Sequence, residues 1–240
     1  MKKDRKNLEK TDNLITTYQE RDLHRALKLQ FCPDETMHEI KMGRFVADAF
    51  DGETIFEVQT GSLSLLEKKL RFYLENTPYK IVIVRPIAAK RRLVWLDSAS
   101  GEVAKAPRLS PKRENIFSGI ADIFYIFELF GVERLEICFV EMEIDEVRLL
   151  DGYGKQKKIR ATSVDRIAGE VFSEIVVKNL DDIRKIVFEA LPDGEFSRAE
   201  LSKYLKLSGL KLWAAQKMLV ESGLLQVRKE KNKLIFIKNT

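Results

Sequence analysis

The sequence predicts an α/β domain built on a mixed sheet, followed by a smaller domain of helices closed by a β-hairpin. Three observations predict it. Short period-2 runs separated by turn dipeptides fill residues 37–59, a continuous β-branched run occupies residues 80–87, and helical periodicity returns in residues 181–222. A chain of 240 residues is also long for one compact domain and comfortable for two.

Taken in order, residues 11–31 carry Leu14, Tyr18, Leu23, Ala26 and Leu27 near helical spacing, and Cys32-Pro33 ends that helix. Residues 37–42, 45–50 and 53–59 then read as three strands. Gly43-Arg44 suits a two-residue type II′ turn, and Asp51-Gly52 a type I′ turn. Ser62 caps a helix to about residue 75 with Leu66, Leu70, Tyr73 and Leu74 on its apolar side. Strands are expected at 80–87 and 92–97, a polar basic loop at 98–114, an apolar helix at 116–130 and a strand at 135–144. Residues 151–163, with Lys155, Lys157, Lys158 and Arg160, read as an exposed loop, and residues 164–177 as a helix leading out of the domain. The expected division is 1–165, a linker helix at 166–180, and 181–240.

Composition narrows the function classes. The balance of 42 basic to 37 acidic side chains leaves a net charge of +5, which permits a polyanionic partner without demanding one. Cys32 and Cys138 are the only cysteines, and two isolated thiols suit a reducing compartment. Neither a secretory leader nor a run of about 20 apolar residues is present, so a cytoplasmic protein without a membrane span is expected. With only His24 and His38 available, a multi-histidine zinc site is not expected.

Counting residues across the two turns sets Glu39 opposite Asp48 and Asp48 opposite Ile55, with Glu57 diagonal to Asp48 and Gln59 two residues further on. Alternation then brings Glu39, Asp48, Glu57 and Gln59 to one sheet face. Carboxylates opposite one another in an apolar segment repel, and a magnesium or manganese ion relieves that conflict. The alternative is a solvated sheet face that carries acids.

Asp48 and Glu57-Val58-Gln59 resemble the metal-binding motif of the PD-(D/E)xK nuclease superfamily, with Gln in the place of the usual Lys. The longer run Ala47-Asp48…Glu57-Val58-Gln59-Thr60-Gly61-Ser62 is similar to the CoiA-type Glu-x-Gln variant. The resemblance covers roughly residues 15–145 and implies a restriction-endonuclease-like core. It implies metal ligation by Asp48, Glu57 and the Val58 carbonyl, with Glu39 completing the site, and hydrolysis of phosphodiester bonds. Gln59 carries no positive charge; Lys69, on the next helix, is the candidate to supply it, beside the alternative of a solvated surface lysine.

Basic residues offer candidate phosphate contacts. Arg91, Arg92, Lys105, Arg108, Lys112 and Arg113 cluster in one segment, and solvated loops are the equal alternative. In residues 181–240 the order of three helices and a hairpin resembles a winged helix. Ser197-Arg198-Ala199-Glu200 forms a capping box, and Gly223 supplies a left-handed cap. That segment holds 12 basic and 8 acidic side chains. Its third helix presents Lys211, Trp213, Gln216 and Lys217, and its wing Arg228, Lys229, Lys231 and Lys233. The combined expectation is a metal-dependent nuclease acting on DNA, double-stranded by preference. A catalytically inactive DNA-binding regulator and a protein-interaction module are the alternatives.

Overall fold

The structure is a computed structural model that describes residues 21–152 and 161–239. The first half of the expected N-terminal helix and the basic residues Lys155, Lys157, Lys158 and Arg160 therefore lie outside the described residues. The first described elements are α1 (Arg21–Phe31), β1 (His38–Met42), β2 (Phe45–Phe50), β3 (Thr54–Val58), α2 (Glu67–Asn76) and β4 (Lys80–Asp97). There follow β5 (Val103–Leu109), α3 (Ile116–Asp122), β6 (Leu135–Leu150) and β7 (Thr162–Val177). The chain continues through α4 (Leu180–Ala190), β8 (Glu195–Ser197), α5 (Arg198–Leu205), α6 (Gly209–Glu221), β9 (Leu225–Glu230) and β10 (Lys233–Lys238).

Among the described residues the large sheet has seven strands in the order β1-β2-β3-β4-β6-β7, with β5 paired to the second half of β4. The first three strands form an antiparallel meander, whereas β3, β4 and β6 run parallel. The first half of β4 is buried on both faces, which is why residues 81–84 read as an unbroken apolar run. Ile81 and Ile83 pack with Leu70, Tyr73 and Ile120 on one side. Val82 and Val84, pointing the opposite way, pack with Leu23, Leu27 and Cys138 under α1.

Gly119 in α3 allows a close helix-to-sheet approach. A Cβ there would stand 2.5 Å from Phe139 and 2.9 Å from Ile87. Gly119→Ala is therefore expected to lower stability by about 1–3 kcal/mol through overpacking, despite the helical preference for alanine. An unchanged urea midpoint would contradict this packing.

Four expectations are corrected. Residues 164–177, read as a helix leading into a 166–180 linker, are the antiparallel strand β7 along β6. Register shifts between Met142 and its neighbours interrupt the alternation. The apolar positions 164, 167, 168, 171, 172 and 175 consequently acquire a helix-like spacing. The basic loop at 98–114 contains β5, whose residues are all exposed, so pairing to β4 rather than burial defines it. The strands expected at 80–87 and 92–97 are one strand of 18 residues. Asp51-Gly52 is not a two-residue turn. Asp51 accepts the Glu53 and Thr54 backbone N–H groups, and the register is Ala49 to Phe56, two residues from the expected one. A shift of two preserves which face each side chain takes.

The C-terminal elements follow the expected order more closely. The Ser197–Glu200 capping box forms, and Gly223 has φ of 74° after α6. A three-stranded sheet, β8-β10-β9, closes the segment. This unit is docked on the first, because Leu212 and Ala215 of α6 share one apolar core with Ile120 and Ile123. Asn115 donates to the Leu205 carbonyl at 2.9 Å, and Trp213 meets Phe124 edge-on at 5.1 Å. No helix among the described residues is long and apolar enough to cross a membrane.

Candidate functional site

β2 and β3 place Asp48 and Glu57 side by side. Continuing the Ala49–Phe56 register brings Asp48 level with Glu57, and the Val58 N–H donates to Asp48 Oδ2 at 2.8 Å. Glu57 is 1% exposed. Lys69 of α2 donates to Glu57 Oε2 at 2.6 Å, and the Tyr73 hydroxyl to Oε1 at 3.1 Å. The helical interval between Lys69 and Tyr73 brings both side chains onto the same carboxylate. His24 Nε2 of α1 lies 3.2 Å from Asp48 Oδ2. Helices on opposite faces of the sheet thus serve adjacent strands.

The electrostatics of the pair are unequal. Burial pushes the Glu57 carboxyl up, the Asp48 charge adds to that, and Lys69 offsets only part, leaving it near 7. Burial also pushes Asp48 upward, but the His24 hydrogen bond and charge, Lys69 and the Val58 N–H outweigh it, so Asp48 is held below its ordinary value. One lysine thus faces two carboxylates, with a histidine that adds charge only when protonated.

The residues fit a hard divalent cation held by one or two carboxylates, with water and phosphate oxygens filling the other positions. The observation that supports this fit is geometric: two carboxylates on adjacent strands lie close together, Asp48 held by the Val58 N–H and Glu57 buried with one lysine contact. Among the described residues no three His, Cys, Asp or Glu side chains converge into a protein-only cage. Glu39 does not join the pair: it has φ of 54°, points to solvent and forms an ion pair with Lys28. Its left-handed backbone breaks the alternation on which the expected convergence depended. Gln59 donates from its amide to the Ser62 carbonyl at 2.9 Å and lines the adjoining cleft.

That cleft, of about 650 Å³, is bounded by Leu23 and His24 of α1, by Val58–Gly61 after β3, and by Ser163–Arg166 at the start of β7. The Glu57 carboxyl has a consequence for stability. Because its folded value lies near 7, above the ordinary 4.5, its favourable contribution is complete below about 4.5 and is lost as pH rises through 7. Wild-type protein is therefore expected to lose stability relative to Glu57→Gln between those limits. A melting-temperature difference that is flat with pH would contradict the assignment.

The other candidates disperse. Lys112 and Arg113 line a second cavity, whereas Arg108 sits on exposed β5. Lys211 turns inward, donating to the Ser118 carbonyl at 3.2 Å and pairing with buried Asp122. This corrects its expected place on a free helix face. Lys217 pairs with Glu221 at 3.7 Å. Arg228 is held by Glu195 and Glu230, while Lys229, Lys231 and Lys233 stay exposed around the β9–β10 turn. Sequence reasoning missed His24, Tyr73 and Arg166. Only His24 offered a signal, as a polar neighbour of the Leu23/Leu27 stripe.

These features define an α/β protein with a lysine-compensated carboxylate pair beside a deep cleft. The chain belongs to the family of DUF8091, a domain of unknown function whose model matches residues 21–178. The match runs from the first described residue to one residue past the end of β7. The chain is 30% identical over 182 residues to an uncharacterized protein of Treponema pallidum (strain Nichols), covering 75% of this chain and 70% of that protein. No solved structure matches it.

Proposed function

We propose that this protein is a divalent-metal-dependent nuclease that hydrolyses phosphodiester bonds in DNA, with Mg²⁺ or Mn²⁺ as its cofactor. The carrying observation is the Asp48–Glu57 pair, with Glu57 buried and contacted by Lys69, next to a cleft that their neighbours His24 and Val58 line. Support for a restriction-endonuclease-like core comes from the order helix, three-stranded meander, helix, parallel strand. Support for a winged helix comes from the element order of residues 180–238 and the sheet order β8-β10-β9. In this reading Lys229, Lys231 and Lys233 contact DNA phosphates through the wing, because Lys211 is engaged by Asp122.

Asp48, Glu57 and the Val58 carbonyl would hold the ion, which when bound polarises the scissile phosphate and lowers the pKa of water. Lys69 offsets part of the burial that raises the Glu57 carboxyl and carries the positive charge absent from Gln59. The Tyr73 hydroxyl fixes the other Glu57 oxygen, and His24 orients Asp48. A second reading, a DNA-binding regulator without turnover, is favoured by Gln59, whose amide is turned to the Ser62 carbonyl.

The test is incubation of purified protein with plasmid DNA and Mg²⁺ or Mn²⁺, with a chelator control. Metal-dependent nicking is expected. DNA binding without nicking in either metal selects the regulatory reading. Activity is also expected to rise with pH through about 7 as the Glu57 carboxyl ionises; a profile flat from pH 5 to 8 would remove Glu57 from the site.

A further inference from the structure

A second cavity of about 270 Å³ adjoins the cleft beside the carboxylate pair, and Leu23, Thr60 and Arg166 line both. Volumes of roughly 300–1,000 Å³ are usual for small-ligand sites, so the adjoining spaces accommodate one ligand of modest size. Five cationic side chains line the second cavity, Arg85, Arg91, Lys112, Arg113 and Arg166, against two carboxylates, Glu114 and Glu146.

The acids there are already committed. Glu146 is shared by Arg91 and Arg148. Glu114 accepts the Ala88 N–H and lies 3.8 Å from Arg85, whose main partner is Asp122. Among the described residues Lys112, Arg113 and Arg166 pair with no carboxylate; Arg166 reaches only the Thr60 carbonyl, at 3.4 Å. Burial first, then the repulsion of Arg148 and Arg166, holds the Arg91 guanidinium below its ordinary value, although Glu146 pairs with it. Guanidinium groups match phosphate through paired N–H donors, so an anion of that kind would relieve the repulsion.

The first cleft carries the complementary deficit. Asp165 is 6% exposed; its Oδ1 accepts the Arg166 N–H at 2.7 Å, but its Oδ2 is buried with no hydrogen-bond partner. A buried acceptor left unmet is costly, and such groups are rare. Asp165 borders the cleft directly, next in sequence to the arginine common to both cavities. An N–H or O–H group of a bound ligand would satisfy it.

We propose that the adjoining clefts bind one 5′-phosphorylated nucleotide unit, its phosphate held by Lys112, Arg113 and Arg166 and its nucleoside part donating a hydrogen bond to Asp165. This deepens the nuclease reading by naming a nucleic-acid end as the substrate, and rests on that reading for the substrate class. The binding site itself needs neither the metal nor turnover.

The experiment measures equilibrium binding by full-length protein in the presence of a chelator. Its probes are a 5′-phosphorylated oligonucleotide, the same oligonucleotide with a 5′-hydroxyl, the 5′-mononucleotides and inorganic phosphate. The phosphorylated oligonucleotide is expected to bind at least about tenfold more tightly than the 5′-hydroxyl form, since charge-assisted hydrogen bonds carry that much discrimination. Arg113→Gln and Arg166→Gln are each expected to weaken nucleotide and inorganic phosphate by about tenfold, whereas Asp165→Asn weakens only the nucleotide. Melting temperatures of the variants separate lost binding from lost folding.

Equal affinity for the two oligonucleotides overturns the proposal, as does an equal effect of Asp165→Asn on phosphate and nucleotide. A mononucleotide that binds as well as the oligonucleotide keeps the site but overturns its assignment to nucleic-acid ends. Asp48→Ala, assayed in parallel, keeps the two ideas apart. Absence of nicking by wild type, with phosphate-selective binding intact, sinks the nuclease reading and leaves the site.

Discussion

Asp48→Ala and Glu57→Ala are each expected to reduce metal-dependent nicking by more than about 100-fold, since each removes a direct oxygen ligand and outer partners alone typically account for 10–100-fold. The two substitutions differ in their side effects. Asp48 is partly exposed and accepts His24 and the Val58 N–H, so alanine there leaves polar groups that water can reach. Glu57 is buried, and alanine would strand Lys69 and the Tyr73 hydroxyl at a cost of about 1–3 kcal/mol for each unmet group. Glu57→Gln is therefore the cleaner probe: it keeps an oxygen acceptor for Lys69, offers an N–H to the Tyr73 hydroxyl oxygen, removes the charge and is expected to abolish nicking in a folded protein. Lys69→Met is expected to fall in the 10–100-fold range, because it takes away the one lysine contact of the pair among the described residues. Plasmid nicking followed over time with each variant checks this order. Undiminished nicking by Asp48→Ala would remove the assignment outright.

Asp122→Ala is expected to have the largest effect on stability. Asp122 is 3% exposed and joins two parts of the chain, accepting Arg85 from β4 and Lys211 from α6. Removing it leaves the Arg85 guanidinium buried without its main partner. Breaking a buried pair in this way costs about 3–5 kcal/mol, and for a chain of this length that corresponds to a fall of roughly 6–20 °C in melting temperature. Lys211→Met should cost much less, because Lys211 is 38% exposed on its side chain and surface pairs contribute about 0–1 kcal/mol. Denaturant unfolding of the two variants and their double mutant measures the difference. Equal costs would mean that docking of α6, rather than burial of Arg85, is what Asp122 serves. A loss under about 1 kcal/mol for Asp122→Ala would show that Arg85 finds another partner, Glu114 being the nearest.

The amino-acid sequence by itself determined those features whose cause lies within a few neighbouring residues. The period-2 runs of β1 to β3, the β-branched start of β4, the capping box at Ser197 and the left-handed end of α6 at Gly223 all follow from local propensity. So did the nearness of Asp48 and Glu57, because a register error of two leaves alternation intact. Tertiary structure alone decided the rest. β7 became a strand because twelve residue pairs with β6 override a helix-like apolar spacing, and β5 because β4 offers it a free edge. Glu39 was drawn to Lys28, His24 to Asp48 and Lys211 to Asp122 by partners that packing brings together across the fold. Hydrogen bonds and ion pairs of that kind depend on where elements dock, and docking is set by the summed burial of many side chains rather than by any local pattern.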